Sequence, residues 1–305
     1  MPDARIALVT CSRLPDLDPE DATLLPVFAD RGVRAEAAVW DDPDVDWDAY
    51  DLVIVRSTWD YAPRRTEFLA WADRVPRLAN PATALRWNTD KHYIKQFGEA
   101  GIPVMVTTWL EPERHFTPRD LHNRFPAIEE FVIKPAIGAG SLEAGRYTST
   151  SANSRGIAIR HAHRLLQEGR SVMVQRYLPS VDTTGESGLV FFNGEYSHAI
   201  SKAAMLKGPD SELAALHRVE RVSAHEATEH EVATARAVMA ATIASIPAFA
   251  ESGQAPLYAR VDLVTNDDGS SVLMELELTE PSLYFSFGEG SRTRFADDVV
   301  RRLGG

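Results

Sequence analysis

The chain has 305 residues, of which 44% are hydrophobic and 25% are charged, and its formal net charge is −12. These are ordinary values for a globular protein, and the length allows two or three domains. The acidic balance disfavours nucleic acid and anionic lipid as partners. A single cysteine, Cys11, excludes an intrachain disulfide and a cysteine-based metal site. With no signal-peptide pattern and no apolar run of membrane-spanning length, we expect a cytoplasmic protein.

The first part of the chain alternates strands and helices. Apolar runs predict strands at 5–10, 35–40 and 51–55, and apolar residues at helical spacing predict helices over 18–31 and 64–75. This alternation indicates a small open α/β unit over residues 1–87.

The loop after the third predicted strand reads Arg56-Ser57-Thr58-Trp59-Asp60-Tyr61. Ligands of open α/β sheets gather beyond the carboxyl ends of the strands. We therefore predict a substrate-binding wall formed by Arg56, Ser57, Thr58 and Asp60. A helix-capping loop around a buried Trp59 is the alternative.

The rest of the chain mixes helices with antiparallel strands, and we predict an α+β arrangement in two further units, 88–180 and 181–305. The first begins with a helix over 90–100 capped by Asn88-Thr89. In the second, Asn193-Gly194 between two apolar runs predicts a β-hairpin.

A last hairpin, predicted to join strands 258–265 and 271–278, places charged residues in an apolar setting. Residues two apart on a strand face the same side, so Arg260 pairs in direction with Asp262, and Glu275 with Glu277. Three carboxylates on one face suit Mg²⁺, which prefers oxygen ligands. An exposed polar face is the alternative, although carboxylates between interior-type strands need a compensating cation.

A glycine-rich loop, Gly138-Ala-Gly140-Ser141, follows Ile133-Lys134-Pro135. Such a loop lets backbone N–H groups approach phosphate oxygens, and the lysine adds a point charge. It is neither a Walker motif nor a dinucleotide fingerprint. Taken alone, this loop is also compatible with an ordinary turn, and Lys91 with an exposed helix lysine.

The order of these features resembles the ATP-grasp superfamily over about residues 88 to 290, and the α/β unit before them looks like a pre-ATP-grasp domain. The resemblance rests on Lys91, Lys134 with its glycine loop, Gln175-Arg176-Tyr177-Leu178, Lys202, Arg260-Val-Asp262 and Glu275-Leu-Glu277. It implies an ATP-grasp fold, α/β plus α+β, that uses ATP and two Mg²⁺ ions to convert a carboxylate into an acyl phosphate.

The resemblance also implies roles for single residues. Lys202 would reach the γ-phosphate, Arg260 would stabilise the oxyanion of the tetrahedral intermediate, and Asp182 would bind the ribose hydroxyls. Magnesium would be held by Asp262, Glu275 and Glu277, although the family commonly has asparagine at the last of these positions. The implied ATP-binding residues are Lys91, Lys134, Gly138, Gly140, Ser141, Gln175, Arg176, Tyr177, Leu178, Asp182 and Lys202.

The strings RSTWDY and ELELTEPSLYF are similar to the subfamily that contains O-ureido-serine cyclo-ligase, which acts in D-cycloserine biosynthesis. This similarity implies a small amino-acid-like carboxylate substrate and cyclisation of O-ureido-D-serine with loss of the carbamoyl group. From its position just past Glu277 and Glu280-Pro281, we also expect Ser282 to contact the substrate. The alternatives are a ligase that joins a carboxylate to a separate amine, and a nucleotide-binding protein without catalysis. His198 is either a proton-transfer group or a structural residue. By analogy we expect a homo-oligomer.

Overall fold

A computed structural model describes residues 4–206, 208–209 and 220–304. Within them the strands form three sheets. The first sheet is parallel and has the order β2-β1-β3. Its strands are β1 (Arg5–Thr10), β2 (Arg34–Val39) and β3 (Leu52–Ser57). The predicted open α/β unit is therefore present, with every strand within two residues of its predicted bounds.

Four short helices cover this sheet: α1 (Pro19–Ala22), α2 (Leu24–Ala29), α3 (Arg65–Ala72) and α4 (Ala82–Asn88). The single helix predicted over 18–31 is wrong, because it is divided at Thr23. Pro26 cannot donate a backbone hydrogen bond to Ala22, so the helix has to restart.

The second sheet is antiparallel, with the order β4-β7-β5-β6. Its strands are β4 (Thr107–Leu110), β5 (Glu130–Pro135), β6 (Gly145–Thr148) and β7 (Val172–Arg176), and its helices are α5 (Tyr93–Glu99), α6 (Pro118–Arg124) and α7 (Ala152–Gln167). The predicted cap at Asn88-Thr89 is wrong, because α5 starts at Tyr93. The Asn88 side chain instead donates to the Leu276 carbonyl at 2.8 Å and accepts from the Leu278 N–H at 2.7 Å.

The third sheet has the order β10-β9-β8-β11-β12. Its strands are β8 (Glu186–Phe192), β9 (Glu195–Lys202), β10 (Val222–His225), β11 (Tyr258–Thr265) and β12 (Ser271–Glu277); the remaining helices are α8 (Ser180–Thr183), α9 (Glu229–Ser245), α10 (Pro247–Ser252) and α11 (Ser291–Leu303). Both predicted hairpins are confirmed. Asn193 and Gly194 have φ values of 48° and 84°, the left-handed pair that a two-residue hairpin turn requires.

The C-terminal helix packs against the N-terminal unit. The rings of Phe28 and Phe295 lie 6.4 Å apart, and Arg31 forms an ion pair of 2.7 Å with Asp297. The three sheets follow one another in the chain as the predicted units do, and the unit boundaries at 87 and 180 stay a prediction. Among the described residues, no helix is long and apolar enough to cross a membrane.

Candidate active site

A cavity of about 520 Å³ lies between the second and third sheets, and α1 and the loop after β3 also contribute to its wall. The cavity brings together most of the side chains that the sequence singled out. Those on its wall are Lys91, Lys134, Gly138, Gly140, Ser141, Gln175, Arg176, Tyr177, Leu178, Lys202, Arg260, Asp262, Glu275, Glu277 and Ser282.

The β11–β12 register puts the charged residues of the hairpin on one face. Arg260 is paired directly with Glu277, and Asp262 with Glu275. An irregularity after Asp262 then shifts the register, and Leu263 pairs with Leu273. The predicted shared face is therefore present, and it is built from directly opposed cross-strand pairs.

Asp262 is almost fully buried between two cations. Arg260 donates from Nε to Oδ1 at 2.8 Å and from Nη2 to Oδ2 at 3.0 Å, and the Lys202 ammonium lies 2.6 Å from Oδ2. Burial raises the pKa of the Asp262 carboxyl, but Arg260 and Lys202 outweigh burial and hold it well below its usual range. Lys202 also lies 3.2 Å from Glu186.

Lys91 joins the hairpin to the glycine-rich loop. Its ammonium donates to the Gly138 carbonyl at 2.7 Å and lies 3.2 Å from Glu275. Burial raises the pKa of Glu275, but the ammonium groups of Lys91 and Lys134 lower it further than burial raises it. Lys91 is buried, not exposed as its position in a predicted helix would suggest, because it precedes α5 and faces inward.

Lys134 differs from Lys91 and Lys202 in its lack of an ion-pair partner within the described part of the chain. No described residue accepts a hydrogen bond from its ammonium or forms an ion pair with it. Burial lowers its pKa despite the nearby Glu275. An unpaired ammonium beside a glycine-rich loop leaves this part of the cavity suited to an anionic ligand.

The hairpin carboxylates have the oxygen-only chemistry that a hard cation such as Mg²⁺ requires. Burial, reinforced by Asp262 and Glu275, raises the pKa of Glu277 to about 7 even though Arg260 contacts it. Carboxylates that lie this close together repel one another, and a nearby positive charge favours their ionised forms. In the described part of the chain, however, no three acidic or imidazole side chains converge on one point, because each of these carboxylates is turned onto a basic side chain.

The other end of the cavity is apolar and lies beside the end of β7. Gln175 is buried and donates to the Thr107 hydroxyl at 2.8 Å, while Tyr177 and Leu178 continue the wall. The apolar side chains here are Met105, Val132, Val181, Val264 and Met274. An apolar part of a cavity wall is suited to a heteroaromatic ring.

The segment after β12 lies along the opposite part of the cavity wall, and we call residues 279–283 the wall strip. Five consecutive backbone carbonyls of the strip accept hydrogen bonds from side chains of the core. The donors are Tyr258 to Thr279 at 3.0 Å, Trp59 to Glu280 at 3.1 Å, Arg56 to Pro281 at 2.7 Å, Arg260 to Ser282 at 2.9 Å and His198 to Leu283 at 2.9 Å. The backbone of the wall strip is thus fixed at every residue.

The family whose model matches this chain is the N-terminal domain of D-cycloserine synthetase DcsG, over residues 6–80. The cycloserine biosynthesis protein DcsG of Streptomyces lavendulae is 38% identical over 304 residues, which is 98% of this chain and 98% of that protein. The chain belongs to the DcsG family. A crystal structure of D-cycloserine synthetase DcsG has a TM-score of 0.86 at 37% identity, covering 98% of this chain and 100% of its own.

More distant solved structures have the same fold as this DcsG-family chain. A RimK domain ATP-grasp protein of Sphaerobacter thermophilus has a TM-score of 0.64 at 17% identity, covering 97% of this chain and 100% of its own. A D-alanine–D-alanine ligase of Bacillus anthracis, solved in complex with ATP, has a TM-score of 0.62 at 13% identity, covering 98% and 97%. The fold is ATP-grasp, as the sequence predicted.

The structure of this DcsG-family chain corrects the predicted ribose acid. Asp182 lies off the wall of the main cavity and is held by Arg146, whose Nη1 and Nη2 donate at 2.9 and 2.8 Å, and by the Tyr177 hydroxyl at 2.7 Å. Glu186 lines the cavity instead. Asp182 belongs to the short helix α8, whereas Glu186 is the first residue of β8, a strand that contributes to the cavity wall.

The predicted substrate wall of this DcsG-family chain is also corrected. Arg56, Ser57, Thr58 and Asp60 do not line the cavity. Arg56 is buried and its Nε donates to Asp21 at 2.9 Å, while Asp60 accepts from the Trp40 indole at 2.9 Å. The residues in alternation with them, Trp59 and Tyr61, face the cavity.

Glu280 is a cavity residue that the sequence analysis did not assign. Its carboxylate lines the cavity, and no described side chain or backbone N–H donates to it. Burial, followed by the neighbouring Glu277, raises its pKa to about 8. Position in the sequence could have suggested Glu280, because it is two residues from the predicted Ser282 in the segment that follows β12.

Proposed function

We propose that this protein is an ATP-dependent ligase that converts the carboxylate of an amino-acid substrate into an acyl phosphate, and that O-ureido-D-serine is cyclised to D-cycloserine on it. The observation that carries the proposal is the unpaired Lys134 ammonium, which faces a cavity that also holds Lys91, Lys202 and Arg260. Four cationic side chains in one partly closed cavity suit a polyphosphate and a carboxylate, since both are anionic.

ATP would lie along the long dimension of the cavity. The apolar slot beside Tyr177 and Leu178 would hold the adenine ring, with backbone groups at Arg176 and Leu178 reading its edge. Glu186, in the place first assigned to Asp182, would accept from the ribose hydroxyls. Lys91 and Lys134 would bind the inner phosphates, with the loop of Gly138, Gly140 and Ser141 covering them.

Phosphoryl transfer to a carboxylate needs alignment and charge neutralisation more than covalent help from the protein. Lys202 would release Asp262 and contact the terminal phosphate, and Arg260 would stabilise the oxyanion that forms when the acyl phosphate is attacked. The rest of the cavity wall would hold the substrate carboxylate in line with the terminal phosphate. It would also exclude water, because hydrolysis of the acyl phosphate would compete with ring closure.

Asp262, Glu275 and Glu277 are the residues that would hold magnesium, since they supply oxygen ligands on one face of the hairpin. Bound there, Mg²⁺ would offset the negative charge of the phosphates and of the carboxylates themselves. The number of ions is part of the proposal, and two is the number that three carboxylates and a triphosphate favour.

Ring closure would follow activation within the same molecule. The substituted aminooxy nitrogen attacks the acyl phosphate and inorganic phosphate leaves. Water then cleaves the bond between this nitrogen and the carbamoyl carbon, the nitrogen takes up a proton, and the carbamoyl group leaves as carbon dioxide and ammonia. The relatives named for cycloserine biosynthesis support this substrate, which would bind beside Trp59, Tyr61 and the wall strip.

The test is release of ADP by the purified protein with ATP, Mg²⁺ and O-ureido-D-serine as the single acceptor, with the cyclic product measured in parallel. Turnover with this compound alone is expected. Turnover that requires an added amine would contradict cyclisation and identify a ligase that joins two molecules, while no turnover with O-ureido-D-serine or with any amino-acid pair would contradict the ligase assignment.

A further inference from the structure

We infer that Glu280 binds the α-ammonium group of the substrate and makes the site specific for amino acids over other carboxylates. The inference rests on the proposed function, because it concerns the substrate end of the same cavity. It assigns a recognition role to a residue on the wall strip, separate from the proposed metal and phosphate ligands.

The first support is that Glu280 differs from every other carboxylate on the described cavity wall. The others already accept a hydrogen bond or form an ion pair within the protein: Asp18, Glu20, Glu186, Glu220, Asp262, Glu275 and Glu277. Glu280 has no such partner among the described residues. The half-buried carboxyl group of Glu280, unpaired in this part of the chain, is disfavoured in its ionised form, and a bound ammonium group would supply the opposite charge that the ionised form lacks.

The second support is that the backbone on which Glu280 stands is fixed. Its own carbonyl accepts from the Trp59 indole at 3.1 Å, and the carbonyls on either side accept from Tyr258 at 3.0 Å and Arg56 at 2.7 Å. Binding groups are effective when their supporting atoms do not have to reorganise. The Glu280 side chain therefore extends from a rigid base while its carboxylate stays available.

The third support is that aromatic side chains lie next to Glu280. Trp59 and Tyr61 line the same end of the cavity, and Glu280 lies close enough to Tyr61 to act with burial in raising its phenol pKa. A carboxylate beside aromatic rings suits a cation, since rings also attract positive charge. The ureido group of the proposed substrate is neutral and gains less from an isolated carboxylate than an ammonium does.

The position of Glu280 relative to Arg260 fits the two charges of an amino acid. Arg260 donates to the carbonyl of Ser282, two residues along the wall strip from Glu280. The Arg260 guanidinium, which belongs to β11, is thus anchored beside the wall strip, and it lies near enough to Glu280 to act against the rise in the pKa of that carboxyl. An α-amino acid has its ammonium and carboxylate on the same carbon, so one molecule could place the carboxylate towards Arg260 and the ammonium towards Glu280.

The experiment compares O-ureido-D-serine with its des-amino analogue, 3-(ureidooxy)propanoate, on the wild type, Glu280→Gln and Glu289→Gln. Binding is measured by calorimetry in the presence of Mg²⁺ and a non-hydrolysable ATP analogue, and ADP release is measured separately. Glu289 is exposed and lies outside the cavity, so Glu289→Gln removes the same charge as a matched control.

Wild type and Glu289→Gln are expected to bind the amino acid at least about 10-fold more tightly than the des-amino analogue, as a charge-assisted hydrogen bond implies. Glu280→Gln is expected to lose that preference, to bind the amino acid about 10-fold more weakly and to bind the ATP analogue with unchanged affinity. Full preference in Glu280→Gln would overturn the inference, as would a wild type that binds both compounds equally.

Failure of the proposed function gives a different pattern. If the wild type prefers the amino acid through Glu280 but forms no ADP or cyclic product with it, the reaction assignment fails and the recognition role stands. If ADP and the cyclic product form with equal efficiency in wild type and Glu280→Gln, the reaction stands and the recognition role is overturned.

Discussion

The guanidinium of Arg56 donates a hydrogen bond of 2.7 Å to the backbone carbonyl of Pro281. Arg56 is the second-to-last residue of β3 in the N-terminal sheet, and Pro281 lies in the wall strip after the last hairpin. The same guanidinium forms a buried ion pair with Asp21 at 2.9 Å and lies over the Tyr258 ring, 5.0 Å from its centroid. Arg56 thus couples the N-terminal unit to the cavity wall without facing the cavity.

This arrangement predicts that Arg56→Met mainly destabilises the fold. Removing one partner of a buried ion pair typically costs about 3–5 kcal/mol, because the Asp21 charge stays buried without its counter-ion. Urea-induced unfolding measures the change in the free energy of unfolding. A substrate-clamping Arg56 would instead give a raised KM for the amino acid with stability intact, and that result would contradict the structural role.

The matched control is the double variant Asp21→Asn/Arg56→Met. Because both charges are absent, it should recover part of the stability lost in Arg56→Met. Strictly additive losses would mean that the two side chains do not interact.

His198 is expected to make stability pH-dependent. Burial, with a smaller contribution from Arg294, lowers its pKa to about 4, and its neutral Nε2–H donates to Leu283. The unfolded chain binds a proton at a pH of about 6.5, so His198 contributes its stability above that pH and loses it as the pH falls towards 4. The loss amounts to about 3 kcal/mol.

His198→Gln keeps a side-chain donor for the Leu283 carbonyl and removes the titration. The decline in the free energy of unfolding between pH 7 and pH 4 should therefore be smaller in the variant than in the wild type. Parallel pH profiles would show that His198 is not responsible for the decline. As a proton-transfer group His198 would instead be needed for turnover at neutral pH, so a large kcat loss in His198→Gln would support that alternative.

Gly288 is expected to tolerate no side chain. A Cβ at this position would lie 2.6 Å from Cγ and 2.7 Å from Nδ1 of the buried His198 ring. Gly288→Ala should lower the free energy of unfolding by about 1–3 kcal/mol through overpacking. Gly156→Ala is the control, since its nearest atom lies at 3.7 Å in the middle of α7, and it should stabilise by about 0.5–1 kcal/mol. Equal stabilities for the two variants would contradict the close packing at Gly288.

Lys134 is expected to separate stability from ligand binding. Lys134→Met removes a half-buried ammonium that has no partner among the described residues, so the free energy of unfolding should stay unchanged or rise. The affinity for ATP should fall at least about 10-fold, because a charge-assisted phosphate contact is lost. Thermal unfolding and nucleotide titration measure the two effects. A variant that is destabilised yet binds ATP normally would contradict the assignment.

The sequence was most informative where local patterns determine the structure. The strands around Asn193-Gly194 and the β11–β12 hairpin were predicted because their turn residues and alternation are encoded within a few positions. The alternation also predicted that Arg260, Asp262, Glu275 and Glu277 share one face, whereas the direct pairing of Arg260 with Glu277 is known only from the structure. The resemblance of the chain to ATP-grasp enzymes then supplied the order of the cavity residues.

The errors arose where residues distant in the chain decide the environment. Nothing near Arg56 in the sequence indicates that Asp21 and Pro281 will enclose it, because these partners lie 35 and 225 positions away. Likewise, Asp182 could not be distinguished from Glu186 without the ion pair between Asp182 and Arg146. The hydrogen bonds that fix the wall strip could not be predicted from the sequence for the same reason, since their five donors come from several elements.

The most direct test of the central claim is an isotope-transfer measurement with O-ureido-D-serine labelled with ¹⁸O in its carboxylate. If the carboxylate attacks the terminal phosphate of ATP and ring closure expels that phosphate, one ¹⁸O atom should appear in inorganic phosphate for each cyclic product formed. Cyclic product accompanied by unlabelled inorganic phosphate would contradict carboxylate activation through an acyl phosphate.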